Sequence, residues 1–226
     1  YKNGAHMWAV LNGEIGQKLL ADIETGVNKD GVASGIVGLC YYDAGNRSFY
    51  LTKEVHTMAD MAGLKIRVQN NPMMVAMVEA LGATAVTGIG PNDVYASITQ
   101  KVIDGAENNW PTYQNMGDYE AAPNYILDQH TRVPEIQLAS TAAIEKLEAL
   151  DPSYSGVLRT CARESARTER RLWAEREARS EKELREWGVE VTTLPDAEKQ
   201  KFRAAVQPLY DRFADQAELL ERIKES

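Results

Sequence analysis

The chain has 226 residues, 44% hydrophobic and 26% charged, enough apolar material for one large domain or two small ones. Its 25 Lys+Arg against 33 Asp+Glu leave a net charge of −8, which argues against a general attraction to nucleic acid or an anionic membrane. No run of about 18 uninterrupted apolar residues occurs, so no membrane-spanning helix is expected. Cys40 and Cys161 belong to no CxxC or Cys/His cluster; zinc is not indicated, and both are expected as buried free thiols.

In chain order, residues 5–25 place Trp8, Val10, Leu11, Ile15, Leu19, Leu20 and Ile23 near helical spacing, a helix with internal glycine. The β-branched and aromatic run 36–42 reads as a buried strand ending at the turn "DAGN", and "SFYLT" continues extended. "TMADMAG" is a short helical turn stopped by Gly63, and 64–68 is a strand. Asn71 is a plausible N-cap and Pro72 a first helical residue for a helix that Gly82 ends. "TAV", a helix from "PNDVY", a strand end in "VIDGAE", and strands in "YILDQHT" and "VPEIQLAS" follow. In "ENNWP", Trp110 between Asn109 and Pro111 reads as irregular chain rather than helix.

After Ser140 the character changes. Residues 151–188 are rich in Ala, Glu, Arg and Leu, with no glycine between Gly156 and Gly188, and read as one very long helix. Its basic run at 163–179 alternates with glutamates, as in a solvated face laced with ion pairs. "VEVTTL" is a strand; Asp196 could cap a further helix that Pro208 kinks or breaks. Alternating strands and helices argue for a parallel or mixed sheet of α/β type.

In open α/β sheets, ligands bind beyond the carboxyl ends of strands, and that is where the informative polar residues lie. Alternation puts Leu64, Ile66 and Val68 on one face, with Lys65 and Arg67 opposite. An arginine in a central strand is costly unless paired. A ligand carboxylate would pair it bidentately; an edge strand, or a salt bridge to Glu107 or Asp104, would also account for it. Arg47 on sequence alone is a solvated turn residue. Trp110 either closes the core or offers a flat wall to a sugar ring, with the amide of Asn108 orienting a ligand. Enzyme signatures are missing: His6, His56 and His130 have no HExxH context, "GIGPND" fits no phosphate loop, and no GxSxG elbow exists. Asp104 and Glu107 form a carboxylate pair that a glycosidase-type reading would need in a defined cleft.

"ADMAGLKIRVQNNPMMVAMVEALGA", "DVYASITQKVIDGAENNWP" and "GNRSFY" together resemble the DctP-type substrate-binding proteins of TRAP (tripartite ATP-independent periplasmic) transporters, and the resemblance runs over essentially the whole chain. It implies a periplasmic, non-enzymatic receptor of two α/β lobes with a long helix spanning both. Such a receptor closes on an organic acid and delivers it to a membrane permease, without cofactor or metal. Lobe I is expected in 1–44 and 134–173, and lobe II in 45–133 and 174–226. The family's N-terminal portion has no counterpart here, so lobe I is expected to be incomplete, with apolar surface around "IVGLC" and "EIQLA". Carried over, Arg67 becomes the carboxylate-binding arginine, Arg47 a second pocket arginine, and Asn108 a carboxylate contact. Gln69 and Asn109 add amides suited to hydroxyls, and Glu135 could face the cleft. The motifs look most like members that bind hexuronates and related sugar acids. C4-dicarboxylate or keto-acid receptors, a sensor subunit, and a sugar-acid lyase or hydrolase using Asp104 and Glu107 are the rivals.

Overall fold

The computed structural model describes residues 1–27 and 30–226. The elements follow the expected alternation: α1 (Gly4–Asn12), α2 (Glu14–Thr25), β1 (Ile36–Tyr42), β2 (Asn46–Leu51), β3 (Lys65–Arg67), α3 (Pro72–Ala80), β4 (Thr84–Val86), α4 (Val94–Thr99), β5 (Gly105–Asn108), α5 (Trp110–Asn115), β6 (Asn124–Ile126), β7 (Thr131–Arg132), β8 (Glu135–Ser140), α6 (Thr141–Leu150), α7 (Tyr154–Glu186), β9 (Glu190–Thr192), α8 (Asp196–Tyr210) and α9 (Ala217–Glu225). Local chemistry accounts for most of the boundaries. Asn71 caps α3 by accepting a hydrogen bond from the Met73 amide, with Pro72 in the first turn. The expected helix over 5–25 is two helices broken at Gly13. Asp196 is not a cap: it is the first residue of α8, and the cap position is Pro195, with no side-chain hydrogen bond. α6, capped by Ser140 through the Ala143 amide, has no counterpart in the sequence reading.

The chain divides into two compact units. The first comprises residues 1–44, 134–173 and 215–226; the second comprises 45–133 and 174–214. Asp215–Ser226 therefore group with the first unit and not, as expected, with the second. One tie is the His6 ring, whose Nε2 lies 2.8 Å from the Ile223 carbonyl oxygen. Residues of α7 up to Trp173 belong to the first unit, and those from Ala174 to the second.

In the first unit β1 pairs antiparallel with β8, with a bulge between Gly38 and Cys40. Val37, Leu39 and Cys40 pack with Ile144, Ala162 and Ala166, so "IVGLC" is mostly covered. Ile136 and Leu138 on β8 are exposed. Both cysteines are free thiols, but Cys161 is exposed on α7 rather than buried.

The second unit is built on a mixed sheet of order β4-β3-β5-β2-β6-β9, with β7 pairing the start of β2. β3 is parallel to both β4 and β5, so it is an interior strand. Each face of the sheet carries its own core. Phe49, Leu51 and Ile66 meet residues of α3 and α8 on one face. Tyr50, Ala106 and Tyr125 meet α4, α5 and Leu184 of α7 on the other.

Gly105 lies in close contact with β2. A Cβ there would fall 2.1 Å from the Tyr50 carbonyl oxygen and 2.9 Å from the Leu51 Cα, both backbone atoms that cannot step aside. Gly105→Ala is expected to destabilise the protein by about 1–3 kcal/mol, the usual range for overpacking. A urea midpoint equal to wild type would show that β5 has room it is not thought to have.

Candidate functional site

Arg67 ends β3 and is 8% exposed. Because Ile66 fills the core beside α3, the alternation turns Arg67 to the opposite face. Its Nε donates to the Ile89 carbonyl at 3.0 Å. Among the described residues its two terminal nitrogens have no partner. The alternatives open at the sequence level close here: β3 is not an edge, Asp104 accepts from the Lys65 amide at 2.8 Å, and Glu107 pairs elsewhere. Asp118 lies within the electrostatic reach of Arg67 and is 2% exposed. Burial raises its pKa, against the lowering effect of a 2.6 Å hydrogen bond from the Tyr50 hydroxyl and of the Arg67 charge.

Arg47 is not the solvated turn residue that its position after "DAGN" suggests. It sits on β2 with its side chain 17% exposed, gripping Glu107, whose side chain is 0% exposed. Nε meets Oε2 at 2.5 Å, and Nη2 meets Oε1 at 2.8 Å and the Glu107 carbonyl at 2.9 Å. Nη1 donates to Asn108 Oδ1 at 3.0 Å, and the same oxygen accepts from the Asn109 amide at 3.0 Å. The Asn108 oxygen is thus committed, and its Nδ2 is left as a donor without a partner among the described residues. Burial disfavours the Arg47 charge, but the hydrogen bonds and attraction of Glu107 outweigh it and hold Arg47 above its ordinary pKa.

His130, a residue in no recognisable motif, is a second cation near Glu107. Its Nε2 lies 3.5 Å from Glu107 Oε2, and its Nδ1 2.6 Å from Asp128 Oδ2. The ring stacks on Phe49 with centroids 4.2 Å apart. Between Asp128 and His130, Gln129 adopts φ +47°, an uncommon value for a non-glycine, as the two side chains converge. Burial would neutralise His130, but Asp128 first and then Glu107 raise its pKa to about 9. Burial likewise opposes the Glu107 charge, but His130 and Arg47 hold its pKa below the ordinary value. The cluster follows from the sheet register: Glu107 is paired directly with Phe49 across β2 and β5, which puts Arg47, two residues away, on the same face, and no local sequence motif announces that pairing.

The remaining candidates separate. Gln69 is exposed just beyond β3, with a side chain free of protein partners among the described residues. Asn109 is 5% exposed and serves as N-cap of α5, accepting from the Thr112 amide. Trp110 is 6% exposed and stacks on Tyr125 with centroids 3.6 Å apart. The "ENNWP" segment is therefore a capped helix start, not irregular chain, and Trp110 is a core residue rather than an open wall. Glu135 is exposed on β8 in the first unit, paired with Tyr42. Asp104 and Glu107 do not act as a matched acid pair, since each has a separate structural partner.

A group whose folded pKa exceeds its unfolded one stabilises fully below the unfolded value and stops doing so as pH rises through the folded value. For His130 that window runs from 6.5 to about 9. Stability should fall across it with a slope approaching about 1.4 kcal/mol per pH unit, and His130→Gln should remove most of the slope. Urea denaturation at several pH values measures it; a wild-type profile as flat as the variant's would mean that His130 is not held charged. Glu107, with its lowered pKa, contributes in the opposite sense, and its share is lost only as pH falls into the acid range.

This arrangement can be set beside known proteins. The family model described as bacterial extracellular solute-binding protein, family 7 (DctP), matches residues 1–216. A solute-binding protein of Chromohalobacter salexigens is 34% identical over 224 residues, 99% of this chain and 62% of that protein. Among solved structures, a TRAP periplasmic solute-binding protein of Xanthobacter autotrophicus with bound β-D-galacturonate has TM-score 0.88 and 39% identity, covering 100% of this chain and 70% of that one. A Chromohalobacter salexigens counterpart with bound D-glucuronate has TM-score 0.87 and 32% identity, covering 99% and 70%. The chain thus spans under two thirds of that curated relative's length. On these matches the chain belongs to the DctP family, the family 7 bacterial extracellular solute-binding proteins.

Proposed function

We propose that the protein is the periplasmic receptor of a TRAP transporter, capturing a hexuronate or related sugar acid without chemical turnover and passing it to a membrane permease. Among the described residues no helix is long and apolar enough to cross a membrane. The observation that carries the reading is the Arg67 guanidinium: 8% exposed, fixed by one bond from Nε, with both terminal nitrogens unpartnered among the described residues. Such a fork matches a carboxylate in geometry and charge. Asn108 Nδ2 and the Gln69 amide are further donors for carboxylate or hydroxyl oxygens. In the receptor, residues 1–44 and 134–173 would contribute to one lobe and the remainder chiefly to the other, with ligand favouring a closed state.

The charge count favours a sugar acid over a dicarboxylate. A dicarboxylate calls for a second cation set opposite Arg67. The candidate, Arg47, is already neutralised by the buried carboxylate of Glu107. A hexuronate carries one negative charge and several hydroxyls, and relatives with bound galacturonate and glucuronate support that class.

Competition calorimetry on the full-length receptor tests this. D-galacturonate or D-glucuronate should bind at least about tenfold more tightly than succinate, a difference of roughly 1.4 kcal/mol. Arg67→Lys, which keeps the charge but loses the fork, should weaken uronate binding by about 1.5–3 kcal/mol. Equal or tighter binding of succinate would reject the sugar-acid class. Unchanged uronate affinity in the Lys variant would remove Arg67 from the site.

A further inference from the structure

Arg163, Arg167 and Arg170 follow one another at i, i+4 and i+7 on α7 and so form one stripe. The sequence suggests a face laced with glutamate ion pairs, and elsewhere on this helix Arg185 and Lys182 do pair in that way. The stripe does not. Arg163 donates to the Thr160 hydroxyl at 3.1 Å, and Arg167 has no hydrogen-bond or ion-pair partner among the described residues. Arg170 lies over Trp8, its Cζ 3.5 Å from the ring centroid, and donates to Asn12 Oδ1 and the Tyr41 carbonyl. Its Nε is buried without a partner.

These three arginines form one wall of a cavity of about 350 Å³ that lies wholly within the first unit. Asn12, which accepts from Arg170, and Gln17, both near the junction of α1 and α2, also line it, and Leu20, Leu39 and Ala166 supply apolar lining. No Asp or Glu lines it. The nearby carboxylates of Asp43 and Glu169 act on Arg170, and Glu169 also accepts from the Asp43 amide at 2.9 Å. Three like charges along one helix face repel each other. Holding them around a cavity, in a chain of net charge −8, makes sense if an anion answers them.

We propose that this cavity binds a small organic phosphate with an apolar body, of the aryl or short alkyl phosphate class. The Arg163 and Arg167 forks take the phosphate oxygens, which offer more acceptor edges and more charge than one carboxylate. Leu20, Leu39 and Ala166 take the hydrocarbon, and Asn12 and Gln17 supply amide contacts at the rim. The volume lies at the small end of the range for ligand pockets. None of the lining residues is among those assigned to sugar-acid capture, so this inference stands apart from that reading.

Phenyl phosphate is the probe, titrated calorimetrically into the full-length receptor. Inorganic phosphate lacks the apolar body, benzyl alcohol lacks the charge, and benzoate lacks the phosphate. Saturable binding at one site is expected, at least about tenfold tighter than any of the three, with at least about tenfold loss in R163A/R167A. Both side chains are exposed, and a circular dichroism melt confirms that the variant is folded. R163K/R167K, which keeps the charge, should bind between the two. Absence of saturable binding, unchanged affinity in R163A/R167A, or a control matching phenyl phosphate would each overturn the proposal. D-galacturonate in excess should leave phenyl phosphate binding unchanged; competition between them would overturn the assignment of this cavity as a separate site.

Discussion

The buried carboxylate of Glu107 is the constraint on which the second unit is arranged. A charge with no exposed side-chain surface costs several kcal/mol in lost hydration unless its oxygens are met by donors of opposite charge. Arg47 meets both oxygens, and His130 lies 3.5 Å from one of them. Asp128 in turn balances His130. Two cations and two anions thus form a compact neutral cluster on the Phe49 face of the sheet. The cluster pins β2 to β5 beyond their backbone ladder and turns the Asn108 amide so that its nitrogen stays available. Arg47 is engaged by Glu107 and Asn108. Arg67, on the opposite face, keeps two donors that no described protein group uses.

That division of labour between two arginines was only half legible in the sequence. Strand alternation through Leu64, Ile66 and Val68 isolated Arg67, and β3 has the interior position that makes a lone arginine informative. Asn71, Pro72 and the glycine-free stretch before Gly188 marked helix boundaries because capping and helix propensity act locally. Arg47 reads locally as a solvated turn residue because its partner is 60 residues away, and only the pairing of β2 with β5 brings the two together. His130 stands in no recognisable motif. Its charge arises from Asp128 two residues earlier and Glu107 far upstream, a relation set by tertiary packing. Trp110 and Asn109 show how local chemistry can be misjudged. The segment reads as irregular chain and is a capped helix start, with Asn109 as the cap, Pro111 in the first turn and Trp110 stacked on Tyr125.

The long helix α7 uses similar residues differently along its length. Near its C-terminal end arginine and lysine sit beside glutamates four residues away, the ordinary arrangement of an exposed helix. Between 163 and 170 that compensation is absent, and the arginines border a cavity instead. Composition alone cannot separate these two uses, because the glutamates are present in both stretches and only their direction around the helix differs. The two units therefore each hold arginines whose charge the local fold leaves only partly answered.

The claim that Glu107 and Arg47 work as one unit is most directly tested by a double-mutant cycle on stability, using Arg47→Met, Glu107→Met and the pair together in urea denaturation. Each single change strands a buried charge and should destabilise by about 3–5 kcal/mol, whereas the double variant removes both charges and should recover much of that loss. Losses that simply add, with no recovery in the double variant, would contradict the account and show that the two residues stabilise the sheet independently.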